Sequence, residues 1–317
     1  MMEAGLSSRG VRVAESYEEL RPLLFSIAYR MLGSVTEAED IVQDAFLRYQ
    51  RALDQGAEIE SPKAYLSAVT TRLSIDHLRS ARARRESYVG EWLPEPLLTD
   101  ESAPEGARYA EEADSLSLAF LVLLERLSPL ERAVFLLHDV FDYGYDEVAE
   151  IVDKSEANCR QVAVRARRHV EQEKPRFEAS RREREELGAR FFDAVGDGDL
   201  DGLVELLAAD VVVVGDGGGK AGSWRRPIFG RDNVVRLLLG LGKHARQLGV
   251  TVRRTHVNGQ PGALFLDPAG RVLYLMELDI ADGVVQTVHA IIAPGKLRHL
   301  GPLGDIRSLR KQKRVSA

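Results

Sequence analysis

Apolar residues recur at three- to four-residue spacing over residues 17–51, a pattern that predicts two amphipathic helices. The first stripe consists of Leu20, Leu23, Leu24, Ile27, Ala28 and Met31, and the second of Ala38, Val42, Ala45, Phe46 and Tyr49. Residues 33–36 separate the two stripes. A third helix is predicted to begin at Pro62, because Ser61 can cap its first turn and proline is favoured at the first helical position.

A second helical module is predicted from residue 116 onward. Residues 116–127 have helical periodicity, and the sequence Ser128-Pro129-Leu130-Glu131 forms a capping box that starts the next helix. Residues 145–152, 153–155 and 156–170 then have the dimensions of a helix-turn-helix, with Ser155 as the cap of its second helix. Asp153 occupies the turn position where glycine is usual, and aspartate tolerates a positive φ at some cost.

The last third of the chain changes to short β-rich runs. They lie at 211–214, 251–257, 263–266, 272–280 and 284–292 and are bounded by turn dipeptides such as Asp267-Pro268 and Asp282-Gly283. Together with helices over 187–209, these runs predict an α+β domain with a curved antiparallel sheet. Residues 307–314 are basic and are expected to fray at the end of the chain.

A length of 317 residues exceeds one compact core and predicts a multidomain protein. The predicted boundaries are 14–87 for the first helical domain, 88–114 for an acidic, proline-containing linker, 115–175 for the second helical domain, 183–300 for the α+β domain and 301–317 for a basic tail. No apolar run approaches the roughly 20 residues of a membrane span, and the first residues lack a secretory signal. We therefore expect a cytoplasmic protein with no membrane contact.

Charge and cysteine content narrow the chemistry further. The net charge of −6 argues against a nonspecific nucleic-acid coat, so only a locally basic surface could bind DNA. The single cysteine, Cys159, cannot form an intramolecular disulfide and is interpreted as a small core residue. No metal and no cofactor are expected.

Candidate binding side chains lie on the exposed faces of three predicted helices. The second helix presents Asp40, Gln43, Asp44 and Arg48; the third presents Arg72, Asp76, His77, Arg79, Arg82 and Arg85; the second helix of the helix-turn-helix presents Glu156, Arg160, Gln161, Arg165 and Arg168. Clustered arginines suit phosphates, and arginine with glutamine suits base edges. In each case an ordinary solvated face is the alternative, and spacing alone does not decide.

Four motifs, taken together and in order, resemble the extracytoplasmic-function sigma factors of the sigma-70 family. They are AEDIVQDAFLR at 38–48, SPKAYL at 61–66, LSIDHLR at 73–79 and LSPLER at 127–132. The resemblance implies an alternative sigma factor with a sigma-two domain, a linker and a sigma-four domain that contains the helix-turn-helix. It implies that the second helix docks on the RNA polymerase core, that residues 72–85 open the minus-ten element of promoter DNA, and that residues 156–168 read the minus-35 element.

The sequences WLPEP at 92–96 and DGGGK at 216–220 are similar to signatures of the subgroup with a C-terminal SnoaL-like domain. That domain has a cone-shaped α+β fold, also called nuclear transport factor 2-like. APGKL at 293–297 stands where the subgroup tends to have NPDKL, so two of five positions differ. The resemblance implies that the C-terminal domain packs against the two sigma domains or their linker and regulates them, with Trp92, Pro94, Asp216 and Lys220 as the interdomain residues, and it leaves room for an unknown pocket ligand.

Two other functions remain open from the residues alone. A SnoaL-like enzyme would use Asp216, His256, Asp279 and His289, with Trp224 as a pocket wall, and its turnover would depend on a histidine. A regulator that binds duplex DNA by itself would use the helix-turn-helix without polymerase. We expect neither: the prediction is a sigma factor that is not an enzyme and that its C-terminal domain regulates in cis.

Overall fold

The computed structural model describes residues 8–86, 90–99, 116–171, 180–218 and 226–315. The chain divides into two compact units. Unit one comprises 1–86 and 123–174, and unit two comprises 87–122 and 175–317. Among the described residues, no helix combines the length and the apolar character needed to cross a membrane.

Unit one begins with the three predicted helices, α1 (Ser8–Leu32), α2 (Val35–Asp54) and α3 (Pro62–Glu86). Gly33 has a φ of +66° and ends α1, after which the Ser34 side chain accepts a 3.2 Å hydrogen bond from the Glu37 amide and caps α2. Ser61 caps α3 in the same way, accepting from the Ala64 amide at 3.2 Å. The predicted apolar stripes are the buried sides along which the helices pack.

The rest of unit one is also helical. Helix α4 (Leu118–Leu124) crosses the boundary between the units, and α5 (Pro129–Phe135) starts at the predicted capping box and continues as a π turn over Leu136–Val140. Helices α6 (Tyr145–Val152) and α7 (Glu156–Glu171) form the helix-turn-helix. Asp153 adopts the left-handed conformation with φ +55°, which is the strained turn that the sequence predicted.

Unit two contains helices and one sheet. The helices are α8 (Arg181–Asp197), α9 (Leu200–Leu206), α10 (Arg231–Leu248) and α11 (Ile306–Val315), and the strands are β1 (Leu207–Asp216), β2 (Ile228–Phe229), β3 (Thr251–Val257), β4 (Gln260–Leu266), β5 (Val272–Ala281) and β6 (Val284–Ile291). The strand order is β2-β1-β6-β5-β4-β3. We call the part from α8 to α11 the C-terminal domain.

Two expectations about this domain are wrong. The sheet is mixed, because β1 pairs with β6 in parallel while the other neighbours are antiparallel. Strands β1 and β6 are not joined by a hairpin, and the long connection through α10 and β3 to β5 allows a parallel return. The basic tail is not frayed at residues 306–315, where it forms α11, because Ile306 and Leu309 pack on the domain core.

The two faces of the sheet have different partners. Side chains alternate between the faces along each strand. Phe265, Met276 and Leu278 point to the core that includes Phe191 of α8 and Leu238 of α10. The opposite side, which we call the linker face, carries Leu264, Leu275 and Ile291 and is covered by Leu93 and Leu118 from the preceding chain. The segment before α4 is therefore part of the core of unit two.

Candidate functional site

The exposed face of α2 carries the first group of predicted site residues. Asp40, Gln43, Asp44 and Arg48 are all solvent-exposed, and they follow one another at helical spacing. Leu47 lies among them and is 42% exposed. Leu47 was not among the predicted site residues, although a leucine on the polar side of an amphipathic helix is a signal that the sequence contains. An apolar side chain surrounded by charges is typical of a protein-binding surface.

The predicted basic side of α3 is only partly free. Arg72 is exposed, but its Nε donates to the Ile151 carbonyl at 2.8 Å and its Nη2 to the Glu150 carbonyl at 2.7 Å. His77 Nε2 lies 3.1 Å from Glu37 Oε1. Asp76 Oδ1 lies 3.4 Å from Arg79 Nη1, with both side chains largely exposed. The side chains of Arg82 and Arg85 lie outside the described residues.

The outward side of α7 has the composition expected of a base-reading helix. Glu156, Arg160, Gln161, Arg165 and Arg168 are exposed, whereas Cys159, Ala163, Ala166 and Val170 are buried. Arg160 Nη2 bonds to Glu156 Oε2 at 3.0 Å, and its guanidinium lies 4.6 Å from the centre of the Tyr145 ring. Burial raises the pKa of the Cys159 thiol, in keeping with its interpretation as a core residue.

Two arginines connect the first three helices of unit one to its later helices, one donating from each group of helices to the other. Arg72 of α3 binds carbonyls in the last turn of α6, and Arg132 of α5 donates to the Met31 carbonyl in the last turn of α1 at 2.6 Å. The last carbonyls of a helix lack intrahelical donors and carry the negative end of its dipole, so a guanidinium is well suited to both ends. The buried bond of 2.8 Å between Ser67 Oγ and Tyr143 Oη lies in the same packing.

In unit two the chain before α4 is fastened to the C-terminal domain by a group that we call the linker clasp: Trp92, Leu93, Asp216 and Lys296. The Leu93 amide donates to Asp216 Oδ2 at 2.9 Å, and Lys296 Nζ donates to the same oxygen at 2.5 Å and to the Leu93 carbonyl. The Lys296 ammonium also lies 4.2 Å from the centre of the Trp92 ring. Asp216 is fully buried, so this charged pair is largely removed from water.

A second set of contacts continues the docking beyond the clasp. Asn258 lies in the β3–β4 turn at φ +52°, and its side-chain Oδ1 accepts a hydrogen bond from the Leu97 backbone amide at 2.9 Å. The backbone amide of Asn258 donates to the Leu97 carbonyl at 2.8 Å. Its Nδ2 donates to the Leu116 carbonyl at 3.0 Å. The Thr99 amide donates to the His256 carbonyl at 3.0 Å. Residues 93–99 are thus bonded to the domain at both ends.

The structure brings together only some of the predicted regulatory residues. Trp92 and Asp216 meet through Lys296, and Pro94 is buried in the docked segment. Lys220 lies outside the described residues. Lys296 and Asn258 were missed as site residues. Lys296 is the lysine of the APGKL segment, and Asn258 begins an Asn-Gly hairpin turn, so both were visible as patterns but not as partners of the linker.

The candidate catalytic groups are occupied in structural contacts. His289 Nδ1 lies 2.6 Å from Glu277 Oε2, both side chains being buried, and His256 Nε2 lies 3.3 Å from Glu185 Oε1. Trp224 lies outside the described residues. An open hollow of about 460 Å³ lies elsewhere in the domain, and its lining residues are Ala209, Gly230, Arg231, Asp232, Asn233 and Arg236. Among the described residues, no group of three His, Cys, Asp or Glu side chains could hold a metal ion.

A cluster of buried polar side chains lies on the linker face beside His289. Glu277 is paired with His289 across β5 and β6, and Asp279 is two residues further along β5. Burial and the Glu277 carboxylate raise the pKa of Asp279 from 3.8 to about 6, against the opposing effects of His289 and Arg184. Burial alone would lower the pKa of His289, but the bonded Glu277 outweighs it and raises that pKa. Both shifts favour the protonated forms in the folded domain.

Replacing Asp279 with asparagine is expected to remove much of the pH dependence of the domain's stability. Because the pKa of Asp279 is about 6 when folded and 3.8 when unfolded, its contribution is largest below pH 4 and is lost as the pH rises through 6. A shift of about two units corresponds to roughly 3 kcal/mol. His289 acts in the same direction, its contribution being lost above its raised pKa. Urea unfolding, followed by tryptophan fluorescence from pH 4 to pH 8, measures the free energy of unfolding.

The control for this prediction is Asp282→Asn, since Asp282 is exposed in the β5–β6 turn and asparagine tolerates its φ of +52°. The control should keep the full slope between pH 4 and pH 6. An Asp279→Asn protein with an unchanged slope would contradict the prediction.

The fold and the site define a DNA-binding regulator of several domains: a helical unit with a helix-turn-helix, joined to an α+β domain of the nuclear transport factor 2-like type. The comparisons agree, because the models for Sigma-70 region 2, Sigma-70 region 4 and the SnoaL-like domain match residues 16–84, 117–170 and 189–292. The chain belongs to the extracytoplasmic-function (ECF) sigma factors of RNA polymerase, the class of proteins that directs transcription initiation at promoters.

Two relatives and one solved structure support this assignment. ECF RNA polymerase sigma factor SigJ of Mycobacterium tuberculosis is 41% identical over 255 residues, covering 78% of this chain and 79% of the relative. Probable ECF RNA polymerase sigma factor SigI of the same species is 31% identical over 288 residues, covering 90% and 94%. The crystal structure of M. tuberculosis SigJ has 37% identity and a TM-score of 0.73 over 92% of this chain and 100% of that chain.

Proposed function

We propose that this protein binds the RNA polymerase core and directs it to promoters, and that its C-terminal domain regulates this activity in cis. The observation that best supports polymerase binding is the exposed face of α2. Asp40, Gln43, Asp44 and Arg48 surround the exposed Leu47, which gives the helix an apolar centre with a charged rim. A protein that acted on DNA alone would have no need of such a surface far along the chain from the helix-turn-helix.

The remaining predicted site residues, on α7 and α3, are assigned to the two promoter elements. The outward side chains of α7 are suited to the minus-35 element, since arginine and glutamine can make paired contacts with base edges. The α3 residues Asp76, His77 and Arg79, with Arg82 and Arg85, are assigned to the minus-ten element. Arg72 can join them only after it leaves the carbonyls of Glu150 and Ile151. This requirement predicts that α3 and α6 separate when promoter DNA binds.

Introducing a charge at Leu47 is expected to weaken polymerase binding without unfolding the protein. Leu47→Asp would place an unpaired carboxylate at the centre of the polymerase-binding face, so the affinity for core polymerase should fall by about tenfold to a hundredfold. Binding to labelled core enzyme and run-off transcription from a cognate promoter measure the effect. The control is Ala57→Asp, which adds the same charge at an exposed loop position of unit one. Equal losses in both variants, or none in Leu47→Asp, would contradict the assignment.

Regulation is assigned to the linker clasp. The linker joins α3 to α4, so its length and freedom determine how far the helices on either side can move apart. While Leu93 and Leu97 are bonded to the C-terminal domain, part of that freedom is lost. We infer that docking restrains the sigma domains and that release favours the form that binds polymerase. The change is a shift between two populations and needs no further partner.

The C-terminal domain is proposed to be a regulatory element and not a catalyst. The relatives that match most of this chain are sigma factors by name. Asp216 is occupied by Leu93 and Lys296, and His289 is held by Glu277 inside the domain. These contacts use the groups that an acid-base mechanism would need free. Turnover of a small molecule that depends on His289 or His256 would argue for the enzyme instead.

A further inference from the structure

We propose that the paired helices α10 and α11 form a sequence-independent binding surface for the phosphate backbone of duplex DNA. We call this surface the basic helix pair. It contains nine Lys and Arg residues, four in α10 and five in α11, against one acidic residue, Asp232. The chain as a whole has the opposite balance, with 43 basic and 49 acidic residues. Positive charge is therefore concentrated on these two helices.

The packing of α11 leaves cations on its solvent side. Helices α10 and α11 are in contact, and Ile306 and Leu309 are half-buried against the core of the domain. Arg307, Arg310 and Lys311 are exposed. Because residues three and four apart lie on the same side of a helix, these three charges form one patch. Asp305, just before the helix, caps it by accepting from the Arg307 amide at 2.9 Å and from Ser308 Oγ at 2.6 Å. Both donors are uncharged, so the negative charge of Asp305 remains and offsets one of the three positive charges.

The arginines of α10 and of α8 have different partners. On α10, Arg236 donates to the Asp232 carbonyl at 3.1 Å and to Asn233 Oδ1 at 2.7 Å, and Arg246 donates to the Gly196 carbonyl. Those acceptors are uncharged, so the contacts leave the positive charge of each arginine in place. On α8, Arg182 lies 2.9 Å from Glu186 and Arg190 lies 3.8 Å from Glu205. Positive potential is therefore retained on the basic helix pair and reduced on α8.

Duplex DNA suits this surface better than a membrane does. A helix of ten residues is about 15 Å long, and duplex DNA carries roughly nine negative charges over that length. An amphipathic helix that binds a bilayer needs a free apolar side, and in α11 Ile306 and Leu309 are already used inside the domain. The inference rests on the proposed function only in that promoter DNA is the duplex that the chain meets.

The test compares two triple variants of the full chain that change the net charge equally. The first is Arg307→Gln, Arg310→Gln and Lys311→Gln on α11. The control is Arg182→Gln, Arg190→Gln and Arg253→Gln, at exposed positions on α8 and β3. Fluorescence anisotropy of a labelled 30-base-pair duplex without promoter sequence gives the affinity between 50 and 200 mM salt. Circular dichroism melting checks that each protein is folded, and vesicles containing anionic phosphatidylserine test the membrane alternative.

The α11 variant is expected to bind the duplex on the order of tenfold to a hundredfold more weakly at low salt. In a plot of log affinity against log salt concentration, the magnitude of its slope should be smaller by about 2 to 3, since each phosphate contact contributes roughly 0.9 to the slope. The control variant should have the same duplex affinity and the same salt dependence as the unaltered chain. Equal losses in both variants, no loss in the α11 variant, or a loss confined to vesicles would overturn the proposal.

Run-off transcription separates this inference from the proposed function. If the unaltered chain supports promoter-specific initiation but the α11 variant binds duplex normally, only the inference fails. If the unaltered chain never initiates but duplex binding depends on α11, only the proposed function fails.

Discussion

Replacing Asp216 with asparagine is expected to undo the linker clasp and to destabilise unit two by about 3 kcal/mol. Asp216 is fully buried, and the exposed fraction of the Lys296 side chain is only 12%. Removing one partner of such a pair leaves the other charge, here Lys296, largely away from water and without the carboxylate that balances it, which typically costs a few kcal/mol. The hydrogen bond from the Leu93 amide to Asp216 Oδ2 is weakened at the same time. The linker should therefore leave the domain before the domain itself unfolds.

Trp92 provides the measurement, because its ring packs against the Lys296 ammonium. In a Trp224→Phe background its emission should shift to longer wavelength in Asp216→Asn, and hydrogen exchange at the Leu93 amide should become faster. The double variant Asp216→Asn with Lys296→Met should recover part of the lost stability, because it removes both charges. Promoter-dependent transcription should rise, since docking is proposed to restrain the sigma domains.

The control for the clasp is Asp267→Asn. Asp267 is equally buried, but its carboxylate accepts bonds within its own turn, from the amides of Ala269 and Arg271 and from the Arg271 side chain. This variant should lose stability while the Leu93 amide keeps its protection. Faster exchange at Leu93 in both variants would mean that general destabilisation, and not the clasp, controls docking. Unchanged or lower transcription in Asp216→Asn would contradict the regulatory part of the proposal.

Replacing Arg132 with methionine is expected to lower the stability of unit one by about 3 kcal/mol. The Arg132 side chain is only 3% exposed, bonds to the Met31 carbonyl at 2.6 Å and to Glu125 Oε1 at 2.9 Å, and joins α5 to the end of α1. Its loss leaves the buried Met31 carbonyl without this donor and removes the cation that binds the partly exposed Glu125. Arg72→Met, the reciprocal change, should cost only about 1 kcal/mol, because Arg72 is exposed and water can replace it at the carbonyls of α6.

The two units can be followed separately in one urea titration. Both tryptophans, Trp92 and Trp224, belong to unit two, so their fluorescence reports on that unit, whereas hydrogen exchange in α1 and α5 reports on unit one. Arg132→Met should make exchange in those helices faster and leave the tryptophan transition in place. Equal shifts of both signals, or an Arg72→Met variant that loses as much as Arg132→Met, would contradict the stated role of Arg132.

The sequence determined the local structure of this protein, because local structure depends on residues that are close in the chain. The capping boxes, the apolar stripes of α1 to α3, the left-handed Asp153 and the β-rich runs all act over a few residues, and these features formed where the pattern predicted them. Helix α10 and strand β2 were not predicted, and the helices predicted over 187–209 end before β1 begins at Leu207. The ordered motifs at 38–48, 61–66, 73–79 and 127–132 were enough to indicate the sigma-factor family. The domain boundaries and the assignments of individual site residues stay predictions.

Tertiary structure decided which of these residues meet. Helical periodicity placed Arg72 on an exposed side but could not indicate that its guanidinium binds carbonyls 78 and 79 residues away. The DGGGK segment indicated Asp216 and Lys220 as interdomain residues but not their partners, and the described cation that binds Asp216 is Lys296. The parallel pairing of β1 with β6 likewise follows from the packing of the whole sheet. Contacts of this kind are fixed by the free energy of the complete fold, since no short segment contains both partners.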